Sequence, residues 1–151
     1  MIKVTFIFAL LLSTSVLSIR AQSIVADGDR EAIKQTAFDY IEGWYEGNAE
    51  RMERALSPDL AKRIMMTNPQ GRSQLQQMSA MGLVQGVKRG GGKDTPKERQ
   101  LKDVTILDVF NNAASVKIVA SDWIDYLHLA KFNGRWVIVN VLWELKAKPQ
   151  I

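Results

Sequence analysis

The chain has 151 residues, 46% hydrophobic and 24% charged, which is enough apolar material for one globular domain with its own core. Its formal charge of +4 is too mild to argue for nucleic acid as a partner. With no cysteine, disulfides, thiolate metal sites and cysteine nucleophiles are excluded.

The first residues, MIKVTFIFALLLSTSVLSIRAQS, set a lysine before an apolar run from Val4 to Leu12 and then small and polar residues. That layout predicts a secretory signal peptide over residues 1–21, cut after Ala21, with the mature domain over 22–151. The run is short for a spanning helix of about 20 residues, so an uncleaved anchor is the lesser alternative. A lipoprotein anchor would need a cysteine at the cut. The expected location is therefore the periplasm or the medium of a bacterium, with no membrane contact after cleavage. Losing Lys3 and Arg20 lowers the formal charge to +2.

Asp27 and Asp29 offer caps for a first helix, EAIKQTAFDYIEGWYEG. Within it Ile33, Ala37, Tyr40, Ile41 and Trp44 recur at helical spacing and predict one buried stripe. Gly47-Asn48 interrupts, and AERMERAL predicts a short second helix. Ser57-Pro58 reads as an N-cap with proline in the first turn, so a third helix is expected from Pro58 to about Met66, ended by Asn68-Pro69. A fourth helical piece is expected from about Ser73 to Val87, carrying Leu75, Met78 and Leu83.

KRGGGKDTPKE reads as a flexible basic loop. A phosphate-binding P-loop fails in detail, since Val87 stands where a glycine is needed and Asp94 follows Lys93 in place of Ser or Thr. The loop can still lie over a pocket mouth.

From Lys102 the period changes to two. DVTILDVF, AASVKIVA, WIDYLHLAKF and RWVIVNVLWELK read as strands separated by Asn111-Asn112, Ser121-Asp122 and Asn133-Gly134. Asn-Gly is the strongest of these hairpin signals, because both central residues of a type I′ turn need positive φ. Helices followed by an antiparallel meander make an α+β chain.

Two-residue turns fix register, and register fixes faces. One face then carries Leu107, Val109, Ala114, Val116, Ile118, Trp123, Asp125, Leu127, Leu129, Lys131, Trp136, Ile138, Asn140, Leu142 and Glu144. The other carries Ile106, Asp108, Ser115, Lys117, Ile124, Tyr126, His128, Val137, Val139, Val141 and Trp143. The first set, richer in aliphatics, is expected under the helices. The second leaves an apolar patch of Tyr126, His128, Val139, Val141 and Trp143, which predicts a homodimer packed sheet on sheet.

YIEGWYEGNAER on the early helices and DYLHLAKFNGRWVIVN at the end resemble the nuclear-transport-factor-2-like superfamily. More narrowly, the chain resembles the secreted bacterial group labelled "putative lumazine-binding", over roughly Asp27 to Lys146. The resemblance implies a cystatin-like cone fold: a curved antiparallel sheet wraps a long first helix, leaves a pocket between them, and often dimerises through its outer face. Relatives include ketosteroid isomerase, scytalone dehydratase and polyketide cyclases beside non-enzymatic binding modules, so the fold does not decide function. One departure is visible in LSPDL, where Ser57 stands at the position of the histidine expected in that group's LHPD-like segment.

On the predicted inner face Asp125 and Glu144 lie diagonally on neighbouring strands, roughly 7–8 Å apart between backbones. Two carboxylates in an apolar cavity can raise one pKa and supply a general acid or base, with Tyr40 or Asn140 stabilising a developing oxyanion. The bland reading has both carboxylates solvated at the open end of the cone. His128 falls on the outer face and reads as an interface residue. No Gly-x-Ser-x-Gly elbow occurs, and one histidine without cysteine supports neither a metal site nor any cofactor. Trp44, Tyr45 and Trp123 can stack on a planar ligand, although aromatic residues at core spacing are more often core.

The expected function is an exported, dimeric module that binds a small, largely apolar molecule through Tyr40, Trp44, Trp123 and Asn140. An isomerase or dehydratase with Asp125 and Glu144 as catalytic carboxylates is the alternative. A structural accessory domain with a filled pocket is the third.

Overall fold

The computed structural model describes residues 27–147; the expected signal peptide and its cleavage site lie outside them. The element order is α1 (Asp27–Glu46), α2 (Ala49–Ala55), β1 (Leu56–Thr67), β2 (Ser73–Ser79), α3 (Ala80–Lys88), β3 (Lys102–Phe110), β4 (Ala113–Ala120), β5 (Trp123–Phe132) and β6 (Arg135–Leu145). A single 3₁₀ turn at Lys97–Arg99 precedes β3. The strands form one six-stranded sheet in the order β2-β1-β6-β5-β4-β3, antiparallel except for the β1/β6 pair.

The first helix and the meander match the sequence expectation. Ile33, Ala37, Tyr40 and Ile41 are buried against Val116, Ile118, Leu127, Leu129 and Ile138 of the sheet's inner face. The Thr36 hydroxyl donates to the Trp136 carbonyl at 3.1 Å and ties the helix to β6. Asn133 (φ 48°) and Gly134 (φ 80°) make the tight turn between β5 and β6. The weaker Ser121-Asp122 signal also makes a turn. It is pinned by Tyr45, whose hydroxyl accepts from the Ser121 amide at 3.0 Å and lies 2.9 Å from its Oγ.

Two expectations are corrected. Residues 58–66 are not a helix but strand β1, and residues 73–79 are not helical but strand β2; only α3 remains of the fourth helix. In β1, Leu60, Lys62 and Ile64 alternate inward, a period of two that the lysine conceals in the sequence. Asn68 supports the β1/β2 turn, its side-chain oxygen accepting from the amides of Gln70 and Arg72.

The faces of β6 also differ from the expectation. Pairing from the Asn133-Gly134 turn runs as expected to Leu129↔Ile138, then shifts, so that His128 pairs Asn140, Leu127 pairs Val141 and Asp125 pairs Trp143. Val139 is the extra residue of a β-bulge, and beyond it every side chain of β6 changes face. Val141 and Trp143 therefore turn inward, whereas Asn140, Leu142 and Glu144 turn outward. A second bulge at Leu107 brings Ile106, not Leu107, opposite Val116. The predicted dimer patch thus loses Val141 and Trp143 and keeps Tyr126 and His128.

Asp39, buried on α1, clamps the two first helices together: it accepts from Arg51 Nε at 3.0 Å and Arg54 Nε at 2.9 Å. Burial opposes its ionisation, but the hydrogen bonds from Arg54 and Arg51 hold its carboxyl below the usual aspartate value. Glu42 is lowered in the same way by Lys102 and Arg51, against burial. The folded pKa values lie below the unfolded ones, so this stabilisation is fully present above about pH 4.5 and disappears as pH falls through the folded values. Asp39→Asn is expected to cost about 2 kcal/mol at neutral pH, and the gap to wild type should close on acidification below about pH 4. Urea denaturation at the two pH values checks this; a gap that stays constant with pH would show that Asp39 does not act through its charge.

Candidate functional site

Between α1, α2, α3 and the inner face of β1, β2, β5 and β6 lies a cavity of about 240 Å³. Trp44, Trp123, Trp143 and Tyr40 supply aromatic walls, and Met52, Met78, Leu83 and Leu145 complete an almost wholly apolar lining. Trp44 meets Trp123 edge to face, their centroids 6.3 Å apart at 81°. The exposed Met78 and Leu145 mark the solvent side.

One polar constellation is set into this wall. Lys62 Nζ donates to Asp125 Oδ1 and to the Tyr40 hydroxyl, each at 2.6 Å, and Trp123 Nε1 donates to Asp125 Oδ2 at 2.6 Å. Asp125 is 0% exposed and Lys62 7%. The Lys62 ammonium also lies over two rings, 4.7 Å from the centroid of Trp143 and 5.4 Å from that of Tyr40. Burial pulls the Lys62 ammonium below its ordinary pKa, while the charge and hydrogen bond of Asp125 act in the opposite sense. Burial, and then the adjacent Asp125 charge, hold the Tyr40 phenol well above its ordinary value. A buried ion pair is tolerable only when its remaining hydrogen-bonding capacity is met, and Trp123 and Tyr40 meet it here.

Of the residues singled out in the sequence, Tyr40, Trp44 and Trp123 line this cavity, and Asp125 is buried behind it, bonded to the lining residues Lys62 and Trp123. It does not bring Asn140 or Glu144. The bulge at Val139 sends both outward: Glu144 is exposed and pairs Ile124, on the opposite face of the sheet from Asp125. Asn140 accepts from Arg63 at 2.9 Å and contacts His128 Nδ1 at 3.2 Å, a polar row on the outer surface. The paired-carboxylate arrangement is therefore not formed. Asp125 is fully buried with both oxygens hydrogen-bonded to Lys62 and Trp123, so it does not face a ligand directly as a base.

Sequence reasoning missed Lys62 and Trp143. The signal for Lys62 was a lone lysine at an inward position of Leu60-x-Lys62-x-Ile64. No local signal marks the bulge that turns Trp143 inward. Ser57, the departure noted in LSPDL, is buried outside this cavity, beside a larger open groove of about 610 Å³ that also touches Arg54, Lys88 and Arg135. The charges of that groove face solvent and Arg54 is already paired with Asp39, so it offers no enclosed site. Ser57 itself caps locally, accepting from the Asp59 amide at 3.3 Å.

The triple glycine packs beside the cavity. A Cβ on Gly92 (φ +82°) would stand 2.4 Å from Trp44 Cδ1 and 2.5 Å from its Nε1. The loop thus holds Trp44 by close backbone approach and not by cradling a phosphate.

The family model described as "Putative lumazine-binding" matches residues 28–144. No curated protein matches the chain. Among solved structures, an NTF2-like protein of unknown function from Shewanella baltica OS155 superimposes with a TM-score of 0.62 at 19% identity, covering 80% of this chain and 96% of that one. One from Methylobacillus flagellatus KT gives 0.63 at 20% identity, covering 82% and 97%. An NTF2-like protein with a cystatin-like fold from Novosphingobium aromaticivorans gives 0.57 at 12%, covering 78% and 82%. At these identities the likeness shows the fold, which is the cystatin-like cone expected from the sequence.

Two sets of variants test the site. Lys62→Met leaves Asp125 buried and unpaired and should cost about 3–5 kcal/mol in urea denaturation, whereas Lys62→Met with Asp125→Leu should regain most of that loss. A single-variant cost below about 1 kcal/mol would mean that the ion pair is solvated in solution. Gly90→Ala and Gly92→Ala share the strain of a positive φ, but only Gly92→Ala also displaces Trp44. Its melting temperature should fall further, by the equivalent of about 1–3 kcal/mol more, with a shift in tryptophan emission that Gly90→Ala lacks.

Proposed function

The chain belongs to the family described as "Putative lumazine-binding", within the nuclear-transport-factor-2-like superfamily, and from that premise we propose that it is an exported protein holding one small, planar, largely apolar molecule in its cavity. The observation that carries this reading is the aromatic, almost wholly apolar cavity with a single self-neutralised ion pair in its wall. A volume of about 240 Å³ falls below the roughly 300–1,000 Å³ of drug-sized sites, so the ligand has one or two rings. Because Lys62 and Asp125 cancel, the ligand is uncharged. Lys62, with two of its three N–H groups committed, has one left for a carbonyl or hydroxyl oxygen. Binding is favoured over an isomerase or dehydratase reaction because Asp125 has no free oxygen and Glu144 is absent from the site. Among the described residues no helix is long and apolar enough to cross a membrane.

The outer sheet face supports a homodimer as part of the same reading. Met65 and Leu75 on β1 and β2 join Tyr126 and Leu142 on β5 and β6, and all four are about half exposed. The array spans four adjacent strands, an apolar surface of the kind that marks a partner.

Native mass spectrometry of protein purified from its own host tests ligand and export together. The expected result is a chain lacking residues 1–21 and carrying a neutral molecule that quenches tryptophan emission and is lost on unfolding. A host-purified protein free of any adduct, whose emission no small aromatic compound alters, would overturn the binding reading. For the dimer, sedimentation velocity should give a dimer for wild type and a monomer for Leu142→Glu; a monomeric wild type refutes the interface.

A further inference from the structure

Lys62 is the only buried lysine among the described residues; the others are exposed or half-exposed. It is also the only amine in the lining of the apolar cavity. An ammonium in such a place is costly, and a lysine desolvated in an apolar pocket is the usual form of an amine nucleophile toward carbonyl compounds. Its neighbours are the groups such a reaction needs. Asp125 Oδ1 at 2.6 Å can take a proton from nitrogen, and the Tyr40 hydroxyl at 2.6 Å can pass one to oxygen.

We propose that Lys62 captures small conjugated or aromatic aldehydes in this cavity as an iminium. The inference rests on the ligand-binding reading of the same site and adds a covalent bond to it. Asp125 accepts one proton from the Lys62 ammonium, and the freed Nζ lone pair forms the N–C bond to the carbonyl carbon. The carbonyl π pair moves to oxygen, which takes the Tyr40 hydroxyl proton while Tyr40 regains one from the nitrogen. Asp125 then returns its proton to the nitrogen, which passes one to Tyr40 as the Tyr40 hydroxyl proton moves to the carbinol oxygen. The C–O bond breaks, water leaves, and the nitrogen lone pair completes the C=N bond. Ammonium and aldehyde thus become iminium and water, with no net gain or loss of protons or electrons.

The charge before and after is the same. An iminium at Nζ keeps its positive charge beside Asp125, so no buried charge is left without a partner. Burial lowers the pKa of Lys62, against the opposing charge of Asp125, and a lower pKa raises the reactive free-amine fraction over that of an exposed lysine. The aromatic walls of Trp44, Trp123 and Trp143 select a planar, conjugated substituent.

The test uses cinnamaldehyde with cyanoborohydride on the wild-type protein near neutral pH, followed by peptide mapping. The expected result is a reduced adduct concentrated on the peptide bearing Lys62, in excess of that on any exposed lysine. Lys62→Arg keeps the positive charge beside Asp125 but cannot form the imine, and should lose that adduct. Cinnamyl alcohol, which has the same carbon skeleton and no carbonyl, reports non-covalent occupancy by calorimetry. If the alcohol binds while Lys62 labels no faster than surface lysines, the iminium is wrong and the cavity reading stands. If neither the alcohol binds nor Lys62 labels, both are wrong.

Discussion

The ion pair between Lys62 and Asp125 organises the inner side of this molecule. It joins β1 to β5 across β6, and through Tyr40 and Trp123 it recruits α1 and one wall of the cavity. Two charges removed from water cost several kcal/mol each, and their attraction offsets that cost only in good geometry with further hydrogen bonds. Both conditions are met, with three contacts at 2.6 Å, yet a packed apolar core would hold the same sheet together at least as well. An arrangement that stability does not require, placed in the wall of an open cavity, is better accounted for by what the cavity holds.

What faces that pair is decided by one residue. The bulge at Val139 inserts a single position into β6, and every side chain after it exchanges sides. Without the bulge, Asn140 and Glu144 would enter the cavity and give it a second carboxylate; with it, Val141 and Trp143 enter instead. The cavity is consequently aromatic and electrically neutral, and the outer surface gains the Gln77–Arg63–Asn140–His128 row. A bulge thus converts a plausible acid–base site into a binding site around a lone amine.

Much of the fold was legible because its signals are local. The stripe of α1 depends on spacing within one helix, and the Asn133-Gly134 turn on the φ preferences of two residues. The β1/β2 hairpin was not legible, since Leu60, Lys62 and Ile64 read as strand only once Lys62 is known to have a buried partner 63 positions away. Leu75 and Met78 likewise read as helical, because edge strand β2 is exposed throughout and lacks the alternation that marks a half-buried strand. Within the site, Tyr40, Trp44, Trp123 and Asp125 lie in elements whose phase was correct. Trp143, Asn140 and Glu144 lie beyond the bulge, and a one-residue slip reverses every face after it.

The same neutrality limits what the cavity can accept. An anionic ligand would compete with Asp125 for Lys62 and leave the carboxylate unpaired; a cationic one would do the same to Lys62. A neutral molecule disturbs neither partner and meets only aromatic and aliphatic walls with one spare N–H. A carbonyl oxygen would satisfy that donor and bring its carbon beside the nitrogen from which Asp125 can take a proton. Recognition and covalent capture therefore ask for the same functional group. The constellation that would favour a neutral carbonyl compound is the one that would make the cavity reactive toward an aldehyde.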